Sequence, residues 1–212
     1  MKSVLMSIQP YWVFLIIAKT MGWNIDKEKT VEVRKTYPKD ENWDKIAKIY
    51  CSKDKKSFAK IPKKYQPLMQ RLLGKVIGGF VCDKVEYIEN RHFTVLGHEN
   101  RYTTIGENPD FQWLKKSCLS YDEVVHYGKL APLKGWHISN LVIYDKPREL
   151  REFIRICPEW EKGEVTDKCC RCEHLYRSQI EYFAECDYEG EIPITRPPQS
   201  WCYVESEVKG ND

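Results

Sequence analysis

"EKTVEVRKTYP", residues 28–38, alternates Val31 and Val33 with Glu32 and Arg34 and places Lys29 just ahead of them. Period two is the mark of a strand. Val31 and Val33 are therefore expected to face a core, with Lys29, Thr30, Glu32 and Arg34 divided between the approaching loop and the opposite face. Glu32 and Arg34, two residues apart on one strand, read in one of two ways. They form an ordinary surface ion pair worth at most about 1 kcal/mol, or, with Lys29, a compact self-neutralising trio that offers donors to a phosphate or a base edge.

The flanks supply the rest of a mixed fold. "VLMSIQP" reads as a first strand, and Pro10 suits the first turn of a helix through Trp12, Leu15 and Ile16. "KIAKIYCSK" gives another strand, and "IPKKYQPLMQRLLG" a short helix after Pro62. "GKVIGGFVCDKVEYIE" reads as one long strand with a bulge or barrel corner at Gly78 and Gly79. Ser120 and Glu123 have capping-box spacing ahead of a helix ending near Gly128. "GWHISNLVIYDKP" and "SWCYVE" are later strands, with a turn or short helix after Pro147. Short strands with a few short helices predict an α+β domain around a small β-barrel.

Composition limits the function classes. The 212 residues are 42% hydrophobic, enough for one sizeable core, and no internal repeat divides them, so residues 1–212 read as a single domain. A net charge of +3 and a pI near 8.3 fall short of a domain that binds nucleic acid by bulk charge, so any such binding needs a local groove. The apolar run Tyr11–Ala18 is far below the roughly 20 residues of a membrane span. Gln9 and Pro10 interrupt the apolar residues that follow Lys2, and no small-x-small cleavage site follows Ala18, so the expectation is a cytoplasmic protein with no signal peptide and no membrane partner. The Lys-rich "KDKKSFAKIPKK" reads as a solvated, flexible segment that is also the best local basic patch for phosphate contacts.

Taken in order, "SIQPYWVFLIIAK", "KTVEVRK", "GKVIGGF", "SYDEVVHYG", "GWHISNLVIYDKP" and "RPPQSWCYVE" resemble the ASCH family, and this version is most similar to phage-encoded ASCH proteins. The family signature is G-x-K-x-x-E-x-R. Lys29, Glu32 and Arg34 match its last three fixed positions, and Lys27 stands where it has glycine. The resemblance implies a PUA-like small β-barrel with short helices at its openings. It spans the chain apart from insertions at about Asp54–Leu73, Asn90–Lys116 and a cysteine-rich Cys157–Ile192.

What the resemblance implies about function divides by class. The first expectation is an RNA or modified-nucleotide binding protein whose cleft joins Lys29, Glu32 and Arg34 to the aromatic residues Tyr127, Trp136 and Trp201. Aromatic faces stack on unpaired bases for about 1–3 kcal/mol each, although singly each ring also reads as core packing. The alternative is a small hydrolase on nucleoside or RNA substrates, with Lys29 orienting the substrate and Glu32 activating water. Some ASCH relatives are similar to amidohydrolases with a threonine nucleophile; here Glu32 occupies that position and Thr30 lies on the wrong phase of the strand. Others resemble metal-dependent ribonucleases, but no second carboxylate is suitably spaced from Glu32. A third expectation is a phage accessory protein that binds a host protein through its insertions.

Nine cysteines in a chain expected to be cytoplasmic point away from disulfides and toward metal binding or burial. Cys169 and Cys172 form a C-x-x-C half-site that Cys157 and Cys186 complete as a structural zinc centre, with Cys170 or His174 as alternate ligands. The polar insertion around them has too few apolar residues to fold unaided, which is the stability a structural zinc supplies. Cys51, Cys82, Cys118 and Cys202 read instead as small buried hydrophobes.

Overall fold

The computed structural model describes residues 2–38, 43–88, 112–129, 131–156, 175–177, 184–186 and 192–205. The chain starts with β1 (Lys2–Ile8), α1 (Pro10–Ile17), β2 (Val31–Arg34), β3 (Trp43–Cys51), α2 (Lys55–Ala59), α3 (Gln66–Leu72), β4 (Val76–Val81) and β5 (Val85–Ile88). It continues with α4 (Gln112–Ser117), α5 (Tyr121–Gly128), β6 (Leu133–His137), β7 (Ser139–Arg148), β8 (Ile154–Ile156), β9 (Leu175–Arg177), β10 (Ala184–Cys186), β11 (Ile192–Pro193) and β12 (Trp201–Glu205). This is an α+β fold. A seven-stranded sheet runs in the order β11-β8-β12-β1-β3-β4-β7, a three-stranded sheet in the order β2-β6-β5, and β9 and β10 form a separate antiparallel pair.

The large sheet is built on β1, which pairs parallel to β3 and antiparallel to β12. Val4, Met6 and Ile8 face one core with Ala47, Ile49, Phe14 and Ile17, while Leu5 faces a second with Tyr50, Val76 and Val204. Cover on both faces explains why "VLM" is continuously apolar rather than alternating. Helix α1 accounts for the apolar run at Tyr11–Ala18: Val13, Phe14, Leu15, Ile16 and Ile17 are all buried. Among the described residues, no helix is long and apolar enough to cross a membrane.

The two sheets are joined by one bent ribbon. Strands β4 and β7 pair in the large sheet, and their continuations β5 and β6 pair in the small one. The turn between sheets falls at Cys82–Lys84 and at Ile138, where Cys82 N donates to Lys45 O at 2.8 Å and His137 N donates to Lys84 O at 3.0 Å. The expected small barrel is corrected accordingly: among the described residues no closed barrel forms, and β11 and β7 remain the edges of the seven-strand order.

Of the bulge or corner expected at Gly78 and Gly79, the register irregularity of a bulge is found there and the corner is not. The two glycines lie inside β4, flanked by register shifts against β7, where the strands approach too closely for a side chain. A Cβ on Gly78 would overlap the backbone oxygen of Val142, and backbone cannot swing aside as a flexible side chain can. Gly78→Ala is therefore expected to lower stability by about 3 kcal/mol, the upper end of overpacking costs. A shift in the urea midpoint equivalent to under about 0.5 kcal/mol would show that the ribbon is not that tight.

Other local expectations resolve simply. Ser120 N donates to Glu123 Oε2 at 2.8 Å and Glu123 N donates to Ser120 Oγ at 3.2 Å, the reciprocal capping box ahead of α5. Cys51 and Cys82 are buried, and Cys118 and Cys202 partly so. Burial pushes the Cys51 and Cys82 thiols up to about 12 and Cys202 up to about 11, which keeps all three protonated and unreactive at neutral pH. Cys157, Cys169, Cys170, Cys172 and His174 lie outside the described residues. Cys186 is described only as the backbone partner of Leu175 in the β9–β10 pair.

Candidate functional site: a buried charge cluster on β2

Strand β2 is covered on both sides, which alternation alone does not anticipate. Val31 and Val33 pack with Leu133 against Val124, Trp113, Leu114 and Leu119 from α4, α5 and the residues between them. The opposite face, carrying Glu32 and Arg34, turns inward as well. Lys29 is only 2% exposed, Glu32 5% and Arg34 7%. The surface ion-pair reading is thereby corrected: all three charges sit where desolvation costs several kcal/mol per ion unless partners compensate.

The approach to β2 is held at three points. Lys29 N donates to Leu15 O at the end of α1, Thr30 N donates to Lys116 O in α4, and Ile138 N donates to Thr30 O at the corner of the ribbon. Lys27, in the signature's glycine position, adopts no positive φ, so the loop needs no glycine there.

Each charge then finds partners. Lys29 Nζ donates to Ser117 O at 2.7 Å, lies 3.4 Å from Glu32 Oε2 and sits 5.1 Å from the centre of the Trp12 ring. Arg34 Nε approaches Glu32 Oε1 at 3.0 Å as an ion pair without an aligned hydrogen bond, while Arg34 Nη2 donates to Ser7 O at 2.6 Å. Glu32 thus bridges two cations. Burial holds the Lys29 ammonium below its ordinary pKa, with the neighbouring Glu32 carboxylate opposing that shift. Burial likewise raises the Tyr127 phenol, opposed by Arg34 and reinforced by Glu32, which places Tyr127 in the same electrostatic cluster.

The β2–β6 register sets Glu32 opposite Trp136 and Arg34 opposite Lys134, so these four side chains share one face. Trp136 is 0% exposed and tilts against Trp43 at 5.8 Å and Trp201 at 6.3 Å. It presents no face to solvent. Trp201 is half-buried, donating from Nε1 to Thr36 Oγ1 at 3.0 Å, and Tyr127 is 38% exposed with Lys35 Nζ 5.3 Å from its ring centre. Of the expected set, Lys29, Glu32, Arg34 and Tyr127 come together. Trp136 lies on their face but inside the core, and Trp201 packs against Trp136 and bonds Thr36, two residues beyond Arg34.

Glu32 Oε2 is buried against the Lys29 ammonium at 3.4 Å, and Trp136 Nε1 is buried with no hydrogen-bond partner among the described residues. Buried polar atoms are rarely left so. Among the described residues, no group of three or more His, Cys, Asp or Glu side chains is placed to hold a metal. Sequence reading missed the carbonyls of Ser7 and Ser117, which carry no side-chain signature, and Trp12, which merges with the apolar pattern of α1.

No family model matches the sequence, and no curated protein matches it. Among solved structures, the chain is similar to that of a mutant ASCH protein from Zymomonas mobilis, with 12% identity and a TM-score of 0.41 over 77% of this chain and 84% of that one.

Proposed function

We propose that this chain is an RNA or modified-nucleotide binding protein and that Lys29, Glu32 and Arg34, with Tyr127 at their margin, form its recognition surface. The observation that carries this reading is the burial of three charged side chains in one cluster beside Trp136 Nε1, a buried donor with no hydrogen-bond partner among the described residues. Buried ion pairs are weak devices for stability, and charge clusters with shifted protonation gather at functional sites. Glu32 accepts from an exocyclic amine or ring N–H, the cations donate to a carbonyl or phosphate oxygen, and the exposed part of Tyr127 stacks on the base.

Tyr127→Ala tests the proposal without touching the core. Removing one stacking platform is expected to weaken binding of short single-stranded RNA by about 1–3 kcal/mol, read by isothermal titration. Equal affinity in the two proteins would remove Tyr127 from the surface.

A second reading is favoured by Lys29, whose ammonium is held below its ordinary pKa by burial and lies 3.4 Å from Glu32 Oε2. In a hydrolase Lys29 orients an acylated nucleoside and Glu32 accepts a proton from attacking water. Release of free acid from acylated cytidine, lost in Glu32→Gln, distinguishes it from binding alone.

The structural zinc at Cys157, Cys169, Cys172 and Cys186, with Cys170 or His174 as alternates, is a separate proposal supported by the C-x-x-C spacing. Metal analysis of the purified protein is expected to return about one zinc per chain. Retention of full zinc by Cys169→Ser/Cys172→Ser would contradict that ligand set.

A further inference from the structure

The Lys-rich segment is not a flexible run. Six of the twelve residues from Lys53 to Lys64 are lysines against one acid, Asp54, so this segment's excess of five positive charges exceeds the net +3 of the whole chain. All six lysines are exposed, yet the backbone beneath them is ordered as α2 and a 3-10 turn at Lys63–Tyr65. Asp54 caps α2 by accepting from Ser57 N at 2.9 Å, and buried Ser57 Oγ accepts from Tyr11 N at 3.0 Å, pinning the segment to α1. Tyr65 completes the attachment by stacking on Trp23 at 4.9 Å and tilting against Phe14 at 5.3 Å.

The mounting leads to the charge cluster. Lys64 Nζ lies 4.7 Å from the Tyr65 ring centre and Lys60 Nζ 5.9 Å from that of Tyr11. Tyr11 is 5.1 Å from Trp12, and Lys29 Nζ lies 5.1 Å from the Trp12 ring centre. Tyr11, Trp12, Trp23 and Tyr65 are all partly exposed. Cations interleaved with half-exposed rings on a rigid support are what a single strand needs, phosphates on the lysines and bases on the rings.

We propose that the Lys53–Lys64 face is the backbone-tracking surface for a single-stranded RNA, one nucleotide of which reaches the Lys29–Glu32–Arg34 cluster past Trp12. This rests on the binding function proposed above and adds the class of ligand: a strand several nucleotides long rather than a free nucleotide.

The test is fluorescence anisotropy with labelled single-stranded RNA of about ten nucleotides, within the range of known single-strand site sizes, at two salt concentrations. It compares wild type with Lys60→Glu/Lys63→Glu/Lys64→Glu, with Glu32→Gln, and with Lys146→Glu, a charge reversal on the edge strand β7. Circular dichroism first confirms that each variant is folded. The triple variant is expected to bind at least about tenfold more weakly at low salt and to lose about two from the salt slope, since each phosphate contact to a single strand contributes about 0.7. Lys146→Glu is expected to change neither. An unchanged slope in the triple variant, an equal loss in Lys146→Glu, or no binding by wild type would each overturn the proposal. Loss in the triple variant with none in folded Glu32→Gln would uphold the lysine surface while refuting the role of the trio; the reverse pattern would refute the surface alone.

Discussion

Glu32→Gln is expected to lower stability by about 3–5 kcal/mol, the cost of removing one partner from a buried ion pair. The substitution keeps the side-chain shape, so the loss is electrostatic: Lys29 and Arg34, 2% and 7% exposed, are left without the carboxylate between them. The effect has a pH signature. The folded-state pKa of Lys29 lies below its unfolded value of about 10.4, so between the two the unfolded chain binds more protons and stability rises with pH. Loss of Glu32 lowers the folded pKa further and widens that window downward. The deficit of Glu32→Gln against wild type is therefore expected to narrow as pH rises toward about 10, and adding Lys29→Met should recover part of it at neutral pH. Urea denaturation across pH reads both effects; a deficit under 1 kcal/mol, constant with pH, would return the trio to an ordinary surface ion pair.

Trp136→Ala is expected to cost a further class of energy, about 3–5 kcal/mol of lost burial and cavity. Trp136 is fully buried where the two sheets meet, packed with Trp43 and Trp201 and opposite Glu32 on β2. Its removal opens the space beside the trio, so RNA binding is expected to weaken along with stability. Trp136→Phe separates the two roles: it keeps most of the packing and removes the unpartnered Nε1 donor. Full stability with reduced binding in Trp136→Phe would assign Nε1 to the ligand, whereas full binding would leave Trp136 as core alone.

These predictions rest on features that differ in how far the sequence discloses them. The strand at Val31–Arg34, the helix after Pro10 and the Ser120–Glu123 capping box were legible because each has a local cause: period two, a proline at the first helical turn, and a reciprocal pair three residues apart. Burial of Glu32 and Arg34 was not, because alternation reports which residues share a face and is silent on whether that face is covered. Their cover comes from β1 and β6, distant in sequence, through Ser7 O and Trp136. Of the bulge or barrel corner expected at Gly78 and Gly79, the irregular register against β7 matches the bulge, and the corner lies elsewhere for a related reason. Those glycines answer to the close approach of Val142 and Ala47, contacts made between strands rather than along one. The Lys-rich helix α2 was hidden because its anchors, Ser57 and Tyr65, are single residues among lysines whose partners lie in α1 and the loop after it.

The most direct test of the recognition surface is isothermal titration of single-stranded RNA into wild type, Tyr127→Ala and folded Glu32→Gln at two salt concentrations. The account predicts binding that weakens with salt and is reduced in both variants. Wild-type affinity in both would make Lys29, Glu32 and Arg34 a structural clamp between β1, β2 and α4, and would move the search for function away from this strand.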